Sequence, residues 1–231
     1  MVTETTKSGF YEMLEARGVS RRSFMKLCGS LAVAAGLSEL AAPRVAQAIE
    51  NSVIGVESGA LYPVIWIEGA SCTGCTESFA QADAPDPATV VLDMISLNYC
   101  ETLSAAAGWS MEEAKAQTIE AGNYILVYEG AVLEGWNGEA LRVADHPGTH
   151  HLAEAAANAN AVLAVGSCAV NGGWVAAHPN PSNALGVQQY LKKQGIDTPV
   201  INIPGCPVNP EWIEAVLVDA ILVGNLPELN G

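Results

Sequence analysis

The chain has 231 residues, of which half are apolar and only 15% are charged. This composition supports a large buried core and excludes an intrinsically disordered protein. The formal net charge of −15 argues against nucleic acid as a partner.

The first 48 residues have the composition of an export signal. They hold six of the ten Lys and Arg residues and four of the 25 Asp and Glu residues, so the remainder has four basic and 21 acidic residues, a net charge of −17. A basic segment at 20–26, a short apolar segment at 27–37 and the small-x-small motif Ala46-Gln47-Ala48 follow in order, which is typical of a secretory signal. An amphipathic N-terminal helix is the alternative.

Arg21-Arg22-Ser23-Phe24 resembles a twin-arginine signal. We therefore predict that residues 1–48, including Cys28, are a cleaved leader recognised by the twin-arginine translocase. The mature protein is then expected in the periplasm or on the outer face of the cytoplasmic membrane.

Five apolar, β-branched runs follow the leader, and each is largely continuous rather than alternating. Continuous runs are typical of strands covered on both faces. The predicted strands span residues 64–67, 90–96, 124–128, 161–165 and 199–203, and the predicted helices span 77–84, 111–121, 151–159, 182–194 and 211–223. The predicted N-caps are Ser110, Thr149, Ser182 and Asn209. Because strands and helices alternate, we predict one α/β domain over residues 49–231 with a doubly wound parallel sheet.

Each cysteine of the predicted mature chain follows a predicted strand: Cys72, Cys75, Cys100, Cys168 and Cys206. The carboxyl ends of parallel strands lie at one edge of the sheet, where such folds bind ligands. All of these cysteines except Cys100 lie in predicted loops rich in glycine or proline. Glycine allows the backbone to approach a bulky cofactor closely, so these four are the candidate ligands.

Four thiolates from three loops can bind a [4Fe–4S] cluster or a tetrahedral zinc ion. Zinc fingers usually combine two nearby C-x-x-C pairs, whereas here 92 residues separate Cys75 from Cys168 and 37 separate Cys168 from Cys206. This dispersed pattern favours the cluster over zinc. Disulfide or dithiol chemistry is a third possibility, because disulfides persist in exported proteins.

Several spaced motifs resemble the small subunit of [NiFe] hydrogenases. They are Cys72-Thr73-Gly74-Cys75-Thr76-Glu77-Ser78, Ile95-Ser96-Leu97-Asn98-Tyr99, Gly166-Ser167-Cys168-Ala169 and Pro204-Gly205-Cys206-Pro207. The resemblance implies a flavodoxin-like domain with one proximal [4Fe–4S] cluster, held by Cys72, Cys75, Cys168 and Cys206. It also implies a large subunit whose NiFe centre splits H2. The present chain would pass the electrons to an external acceptor, either a cytochrome or another iron–sulfur protein.

Three departures from the family pattern refine this expectation. Gly74 and Gly173 stand where oxygen-tolerant members carry extra cysteines, so the resemblance implies a standard cubane. Cys100 stands where many relatives have histidine, and we expect a buried, inert thiol there, with a spare ligand as the alternative. Typical relatives continue into a second domain with medial and distal clusters, so the resemblance implies a short single-cluster form or a fragment.

The other polar candidates have weaker signals. Glu77 has two interpretations: a subunit contact or proton path, as its position in the family implies, or a carboxylate favoured by the first turn of a helix. Glu68 and Glu129 are expected to be solvated loop carboxylates. A surface position is expected for the histidine cluster His146, His150 and His151, and a packing role for Trp66, Trp174 and Trp212. His178 follows Cys168, and proximity to the cluster is the less favoured interpretation of it.

Two further functions remain open from the sequence. One is a cubane-bearing subunit of a quinone-linked respiratory complex, although those relatives tend to have adjacent cysteines and no export leader. The other is a zinc-stabilised binding module without catalytic activity.

Overall fold

The computed structural model describes residues 61–83 and 85–222, together with residues 11, 14, 15, 18–34, 42, 43 and 46. These residues belong to two compact units, one comprising those up to 61 and from 215 onwards, the other residues 62–214. None of the described helices has the length and apolar character needed to span a bilayer. The proposed cleavage site after Ala48 lies outside the described residues, so the boundary at 48/49 stays a prediction.

The N-terminal unit contains helix α1, Arg21–Ala34, which starts at the paired arginines. Ser20 caps this helix, because its hydroxyl accepts a hydrogen bond from the Ser23 N–H at 3.2 Å. Phe24 and Cys28 point into a small apolar cluster with Ala42 and Ala46. The apolar spacing of four residues thus gives the predicted leader a helix with one buried face.

The larger unit is built on a five-stranded parallel sheet. Its strands are β1 (Tyr62–Glu68), β2 (Ile95–Cys100), β3 (Ile125–Glu129), β4 (Ala161–Val165) and β5 (Val200–Ile203). They are ordered β2-β1-β3-β4-β5, and each neighbouring pair is parallel. This is the strand order of the flavodoxin-like doubly wound fold, so the predicted fold class is confirmed.

Helices lie in the connections between the strands and after the last strand. They are α2 (Gly74–Phe79), α3 (Trp109–Ala121), α4 (Gly148–Asn158), α5 (Gly166–Asn171), α6 (Val187–Gln194) and α7 (Pro210–Leu222). Two short antiparallel ribbons, Val132–Leu133 with Ala184–Leu185 and Arg142–Val143 with His146–Pro147, lie in the connections. Short 3₁₀ turns span Gly135–Gly138 and Gly173–Ala176.

The core lies along the central strands, as the continuous apolar runs predict. Every residue of β3 and β4 is buried. One core cluster joins Leu126 and Tyr128 of β3 to Leu152 of α4 and Leu191 of α6. Trp66 of β1 is also fully buried and packs on Phe79 of α2, with ring centroids 5.3 Å apart.

The second strand was predicted five residues too early. Residues Val90–Met94 form a π-helical turn, and β2 begins only at Ile95. The cause is local, because Asp86 caps the preceding helical turn by accepting a hydrogen bond from the Thr89 N–H at 3.2 Å. Pro87 at the first helical position then favours a helix over a strand.

The predicted and observed helix bounds differ mostly at the N-termini of the helices. Helix α3 begins at Trp109 after Gly108, and α4 begins at Gly148, so Ser110 and Thr149 lie inside helices rather than capping them. Ser182 is not a cap either, because the chain first forms the Ala184–Leu185 ribbon before α6 starts. The cap predicted at Asn209 is confirmed, since its side chain accepts a hydrogen bond from the Glu211 N–H at 2.9 Å.

Candidate functional site

The four candidate cysteines line one cavity at the carboxyl edge of the sheet. Cys72 and Cys75 follow β1, Cys168 follows β4, and Cys206 follows β5. The cavity has a volume of about 80 Å³ and is lined by all four. Cys75 is buried and Cys168 half-buried, whereas Cys72 and Cys206 are exposed, so the cavity opens towards the surface.

The first two cysteines lie on a tight turn that leads into α2. Thr73 adopts a left-handed conformation with φ of 61°, and its N–H donates to the Ser71 hydroxyl at 2.9 Å. Helix α2 begins at Gly74, so Cys75 lies in its first turn rather than in a loop. Cys168 likewise lies inside the short helix α5. The prediction that all four cysteines occupy loops is therefore wrong for Cys75 and Cys168.

Hydrogen bonds connect the three cysteine-bearing segments. The Ser167 N–H donates to the Gly205 carbonyl at 2.7 Å, which joins the Cys168 segment to the Cys206 loop. The Ser78 hydroxyl donates to the Val208 carbonyl at 2.6 Å and joins α2 to the same loop. Segments far apart in sequence are thereby held around one cavity.

Two glycines bring sulfur atoms close to the main chain, and one of them, Gly166, lines the cavity. A Cβ atom at Gly166 would lie 2.7 Å from the Cys75 sulfur, and one at Gly173 would lie 2.8 Å from the Cys168 sulfur. Both glycines have positive φ, which other residues rarely adopt. Four thiols around a space kept clear of side chains fit a bulky thiolate-bound group such as a [4Fe–4S] cluster.

The thiols share a common electrostatic environment. The pKa of the Cys75 thiol is raised to about 11, chiefly by burial and to a smaller extent by the negative charges of Glu129, Cys72 and Cys206. Burial, followed by the charges of Cys206 and Cys72, also raises the pKa of Cys168. Mutually repelling thiolates of this kind are stabilised by bound cationic iron, which lowers the pKa of a coordinating thiol.

The two alternative cysteine chemistries are a zinc site and disulfide or dithiol chemistry. All six cysteines are free thiols. Among the residues that the structure describes, no three His, Cys, Asp or Glu side chains are placed to hold a single metal ion. A tetrahedral zinc site needs its sulfurs within about 2.3 Å of one point, whereas a multinuclear cluster accepts more widely spaced thiolates.

Apart from Glu129, the remaining sequence candidates do not line the cavity. Cys100 ends β2, is fully buried and accepts a hydrogen bond from the Leu103 N–H at 3.4 Å, as expected for a buried inert thiol. Glu77 and His178 are exposed. Trp174 and Trp212 were expected to pack, but they are 80% and 55% exposed, so that expectation is wrong for both.

Glu129 is more buried than the sequence predicts. It was expected to be a solvated loop carboxylate, but it is buried at the end of β3 and lines the cysteine cavity. Its two oxygens accept hydrogen bonds from Cys75 and Thr76. The available signal was its position, because the last residue of a central parallel strand lies at the ligand-binding edge.

A second buried polar cluster, away from the cavity, was also missed. Lys115 of α3 is buried, pairs with Glu112 and donates to the Nδ1 atom of His151 in α4 at 2.9 Å. Since lysine only donates, the His151 Nδ1 accepts and its Nε2 donates to the Val143 carbonyl at 2.7 Å. Burial lowers the pKa of His151 accordingly. The expected surface position is confirmed for His146 and His150 but wrong for His151.

A protein-family model described as "NADH ubiquinone oxidoreductase, 20 Kd subunit" matches residues 72–220, more than half of the chain and all four cysteines of the cavity. The chain belongs to this 20 kDa subunit family. It is also 40% identical over 225 residues to the Hydrogenase-2 small chain of Escherichia coli, with 96% of this chain and 58% of that protein covered. A further relative is the Quinone-reactive Ni/Fe-hydrogenase small chain of Wolinella succinogenes, 39% identical over 94% of this chain and 59% of that protein.

The chain is also similar to solved structures of hydrogenases. A [NiFeSe] hydrogenase from Desulfovibrio vulgaris Hildenborough superposes with a TM-score of 0.68 at 37% identity, covering 70% of this chain and 59% of that one. The NiFeSe hydrogenase from Desulfomicrobium baculatum gives a TM-score of 0.68 at 30% identity, covering 74% and 67%. The predicted resemblance to hydrogenase small subunits is confirmed. The chain spans somewhat less than two thirds of the length of the curated relatives described above.

Proposed function

We propose that this chain is the electron-transfer small subunit of a [NiFe] hydrogenase. The observation that carries the proposal is the convergence of Cys72, Cys75, Cys168 and Cys206 on one cavity in a chain 40% identical to a hydrogenase small chain. These cysteines would hold one [4Fe–4S] cluster, which when bound supplies one-electron oxidation and reduction.

The chain's own residues would prepare this site in three ways. The thiols supply four sulfur ligands from three segments. Gly166, which lines the cavity, keeps the space beside the Cys75 sulfur free of a side chain. The hydrogen bonds from Ser167 and Ser78 hold the segments in register. Preorganised ligands reduce the conformational entropy lost when the group binds.

The partners and location follow from the same proposal. A large subunit would carry the NiFe centre and deliver electrons from H2. The exposed thiols Cys72 and Cys206 lie at the open side of the cavity. A cytochrome or another iron–sulfur protein would accept the electrons. The twin-arginine translocase would export the chain to the periplasm or the outer face of the membrane, in line with the Arg21-Arg22 leader.

The test is to purify the protein anaerobically with its associated subunits and to assay H2-dependent reduction of a viologen dye. We expect dye reduction, together with iron and acid-labile sulfide at roughly four of each per chain. Absence of both the activity and the iron from this chain would contradict the proposal. One zinc ion and no labile sulfide would instead support the zinc-stabilised binding module.

The second candidate is a subunit of a quinone-linked respiratory complex, which the description of the matched family model favours. The cysteine spacing and the leader count against it, because Cys72 and Cys75 are separated by two residues. Iron and sulfide with quinone reduction but no reaction with H2 would favour this second function.

A further inference from the structure

The buried carboxylate of Glu129 has no assigned role in the proposed site. Glu129 ends β3, is only 3% exposed and lines the cysteine cavity. Its register partner in β1 is Glu68, so the two strands end side by side where the cysteine turn begins. A buried carboxylate costs free energy unless it is well hydrogen-bonded, so its contacts indicate its purpose.

Both oxygens of Glu129 accept hydrogen bonds from the turn that carries Cys75. The Cys75 N–H donates to Oε1 at 3.1 Å, and the Thr76 N–H donates to Oε2 at 2.8 Å. The Thr76 hydroxyl donates to the same Oε2 at 2.6 Å. Three donors from two adjacent residues therefore attach the turn to the end of the neighbouring strand.

The two N–H donors have no local side-chain cap, whereas the Thr76 hydroxyl also lies 3.3 Å from Glu68 Oε1. The first N–H groups of a helix lack intrahelical acceptors, and the residue before α2, Thr73, forms no side-chain cap. Glu129 lies more than fifty residues away in sequence, and its carboxylate supplies the acceptors that a local cap would otherwise supply. The position of Cys75 thus depends on a strand end and not only on its own turn.

The charge of Glu129 also reaches the thiols. The carboxylate lines the same cavity as the four cysteines, and its Oε1 lies 3.1 Å from the backbone nitrogen of Cys75. No salt bridge to Glu129 occurs among the described residues. An unpaired negative charge beside a redox group favours the less negative, oxidised form, since like charges repel strongly where water is excluded.

We propose that Glu129 is a positioning residue that fixes the Cys72–Cys75 turn around the iron–sulfur cluster and, through its negative charge, lowers the midpoint potential of that cluster. The inference rests on the proposed function, because it requires the four thiols to hold such a cluster. Positioning and charge are separable, and three variants distinguish them.

Glu129→Gln keeps the size of the side chain but removes the charge and replaces one acceptor oxygen by an amide donor. Thr76→Val keeps the charge of Glu129 and the shape of the threonine but removes the hydroxyl donor. Glu120→Gln removes one carboxylate from the exposed face of α3 and is the matched control for a change in overall charge.

The measurement is a redox titration of the anaerobically purified native holoprotein, followed by electron paramagnetic resonance, with iron loss to a chelator as second readout. We expect a higher midpoint potential and faster iron loss in Glu129→Gln. Thr76→Val should lose iron faster than the wild type with a smaller shift in potential. Glu120→Gln should match the wild type in both.

The inference would be overturned if the Glu129→Gln protein, carrying its cluster, had the same midpoint potential as the wild type and lost iron to the chelator no faster. If that variant does not accumulate, Thr76→Val decides the positioning role, since wild-type iron retention there would contradict it. A wild-type protein without iron, sulfide or a resonance signal would instead contradict the proposed function itself. Failure of the proposed function is therefore distinguishable from failure of the inference about Glu129.

Discussion

Glu101 shows how a single buried side chain can make the stability of this fold depend on pH. Its Oε2 accepts a hydrogen bond from the Glu68 N–H at 3.1 Å, whereas its Oε1 is buried and has no partner among the described residues. Burial raises the pKa of the Glu101 carboxyl to about 7. The neutral, protonated form therefore suits the folded state better than the carboxylate.

The sign of the pH effect follows from this raised pKa. The contribution of Glu101 to stability is fully present below the unfolded pKa of about 4.5 and is lost as pH rises through about 7. We expect Glu101→Gln, which cannot ionise, to gain about 2 kcal/mol relative to the wild type between pH 5 and pH 8. Denaturant unfolding of both proteins at the two pH values checks this. A constant difference would show that Glu101 does not titrate in this range.

The cysteines provide a comparison between chemically identical side chains. We expect serine at any of positions 72, 75, 168 or 206 to reduce iron and labile sulfide strongly, since oxygen replaces a thiolate ligand. Cys100→Ala should keep the wild-type iron content, because Cys100 lies outside the cavity, at a cost in stability of about 1–2 kcal/mol. Iron and sulfide analysis of the five variants is decisive. Iron loss in Cys100→Ala would identify a ligand that the geometry does not indicate.

The strand-to-helix connections determine how closely the backbone can approach the sulfurs. Gly166 joins β4 to α5 with φ of +90°, and a Cβ atom there would lie 2.7 Å from the Cys75 sulfur. Gly122 after α3 also has positive φ, but nothing lies within 4 Å of its added Cβ. The two glycines thus share a positive φ, but only at Gly166 would an added Cβ atom meet neighbouring atoms.

We expect Gly166→Ala to lose iron–sulfur content as well as stability, because the new methyl group displaces a ligand. Gly122→Ala should cost only the strain of a positive-φ extended conformation that is nearly exclusive to glycine, about 1–3 kcal/mol. Iron content and thermal unfolding of both variants separate the two effects. Equal iron content in the two proteins would mean that the cavity tolerates the extra methyl group.

Helices α3 and α4 are joined by a buried polar link. The Lys115 ammonium contacts Glu112 on its own helix and His151 on α4, and it lies 4.6 Å from the centroid of the Tyr99 ring. Lys115→Met should destabilise the fold by about 2–4 kcal/mol, because it leaves the Glu112 carboxylate without its cation.

Lys192→Met, on the exposed side of α6, is the control for the same substitution and should change stability by less than about 0.5 kcal/mol. Denaturant unfolding gives both free energies. Similar values for the two variants would show that the Lys115 link contributes nothing measurable.

At the scale of the whole molecule, we expect the N-terminal segment to determine the cellular location of the protein. The paired arginines Arg21 and Arg22 start helix α1, and both are exposed. We expect the double substitution of both arginines by lysine to leave the precursor in the cytoplasm, since the charge is kept but the twin-arginine motif is lost. Arg17→Lys is the control outside the motif.

Cell fractionation and immunoblotting of the precursor and mature forms measure this outcome. Export of the double variant at the wild-type level would contradict the twin-arginine assignment. The same experiment gives the mature N terminus, and cleavage away from Ala48 would correct the predicted boundary.

Sequence patterns were sufficient for the features that depend on composition and spacing. The continuous apolar runs predicted four of the five strands closely, because a strand buried on both faces must be apolar at every position. The cysteine motifs predicted which thiols would meet, since consecutive parallel strands end at one edge. Sequence patterns could not predict that Cys168 lies in a helix, or that β2 starts after a π-helical turn, because both features depend on competing local caps.

The amino-acid sequence determined the fold class, the four thiols and their common edge, because continuous apolar runs locate the parallel strands and the carboxyl ends of parallel strands lie at one edge of the sheet. Only the tertiary structure decided what surrounds those thiols. It turned Glu129 from an expected surface carboxylate into an acceptor for the Cys75 turn, and it placed His151 against Lys115. The physical reason is that burial and hydrogen bonding between distant segments depend on packing, which no local pattern of residues encodes.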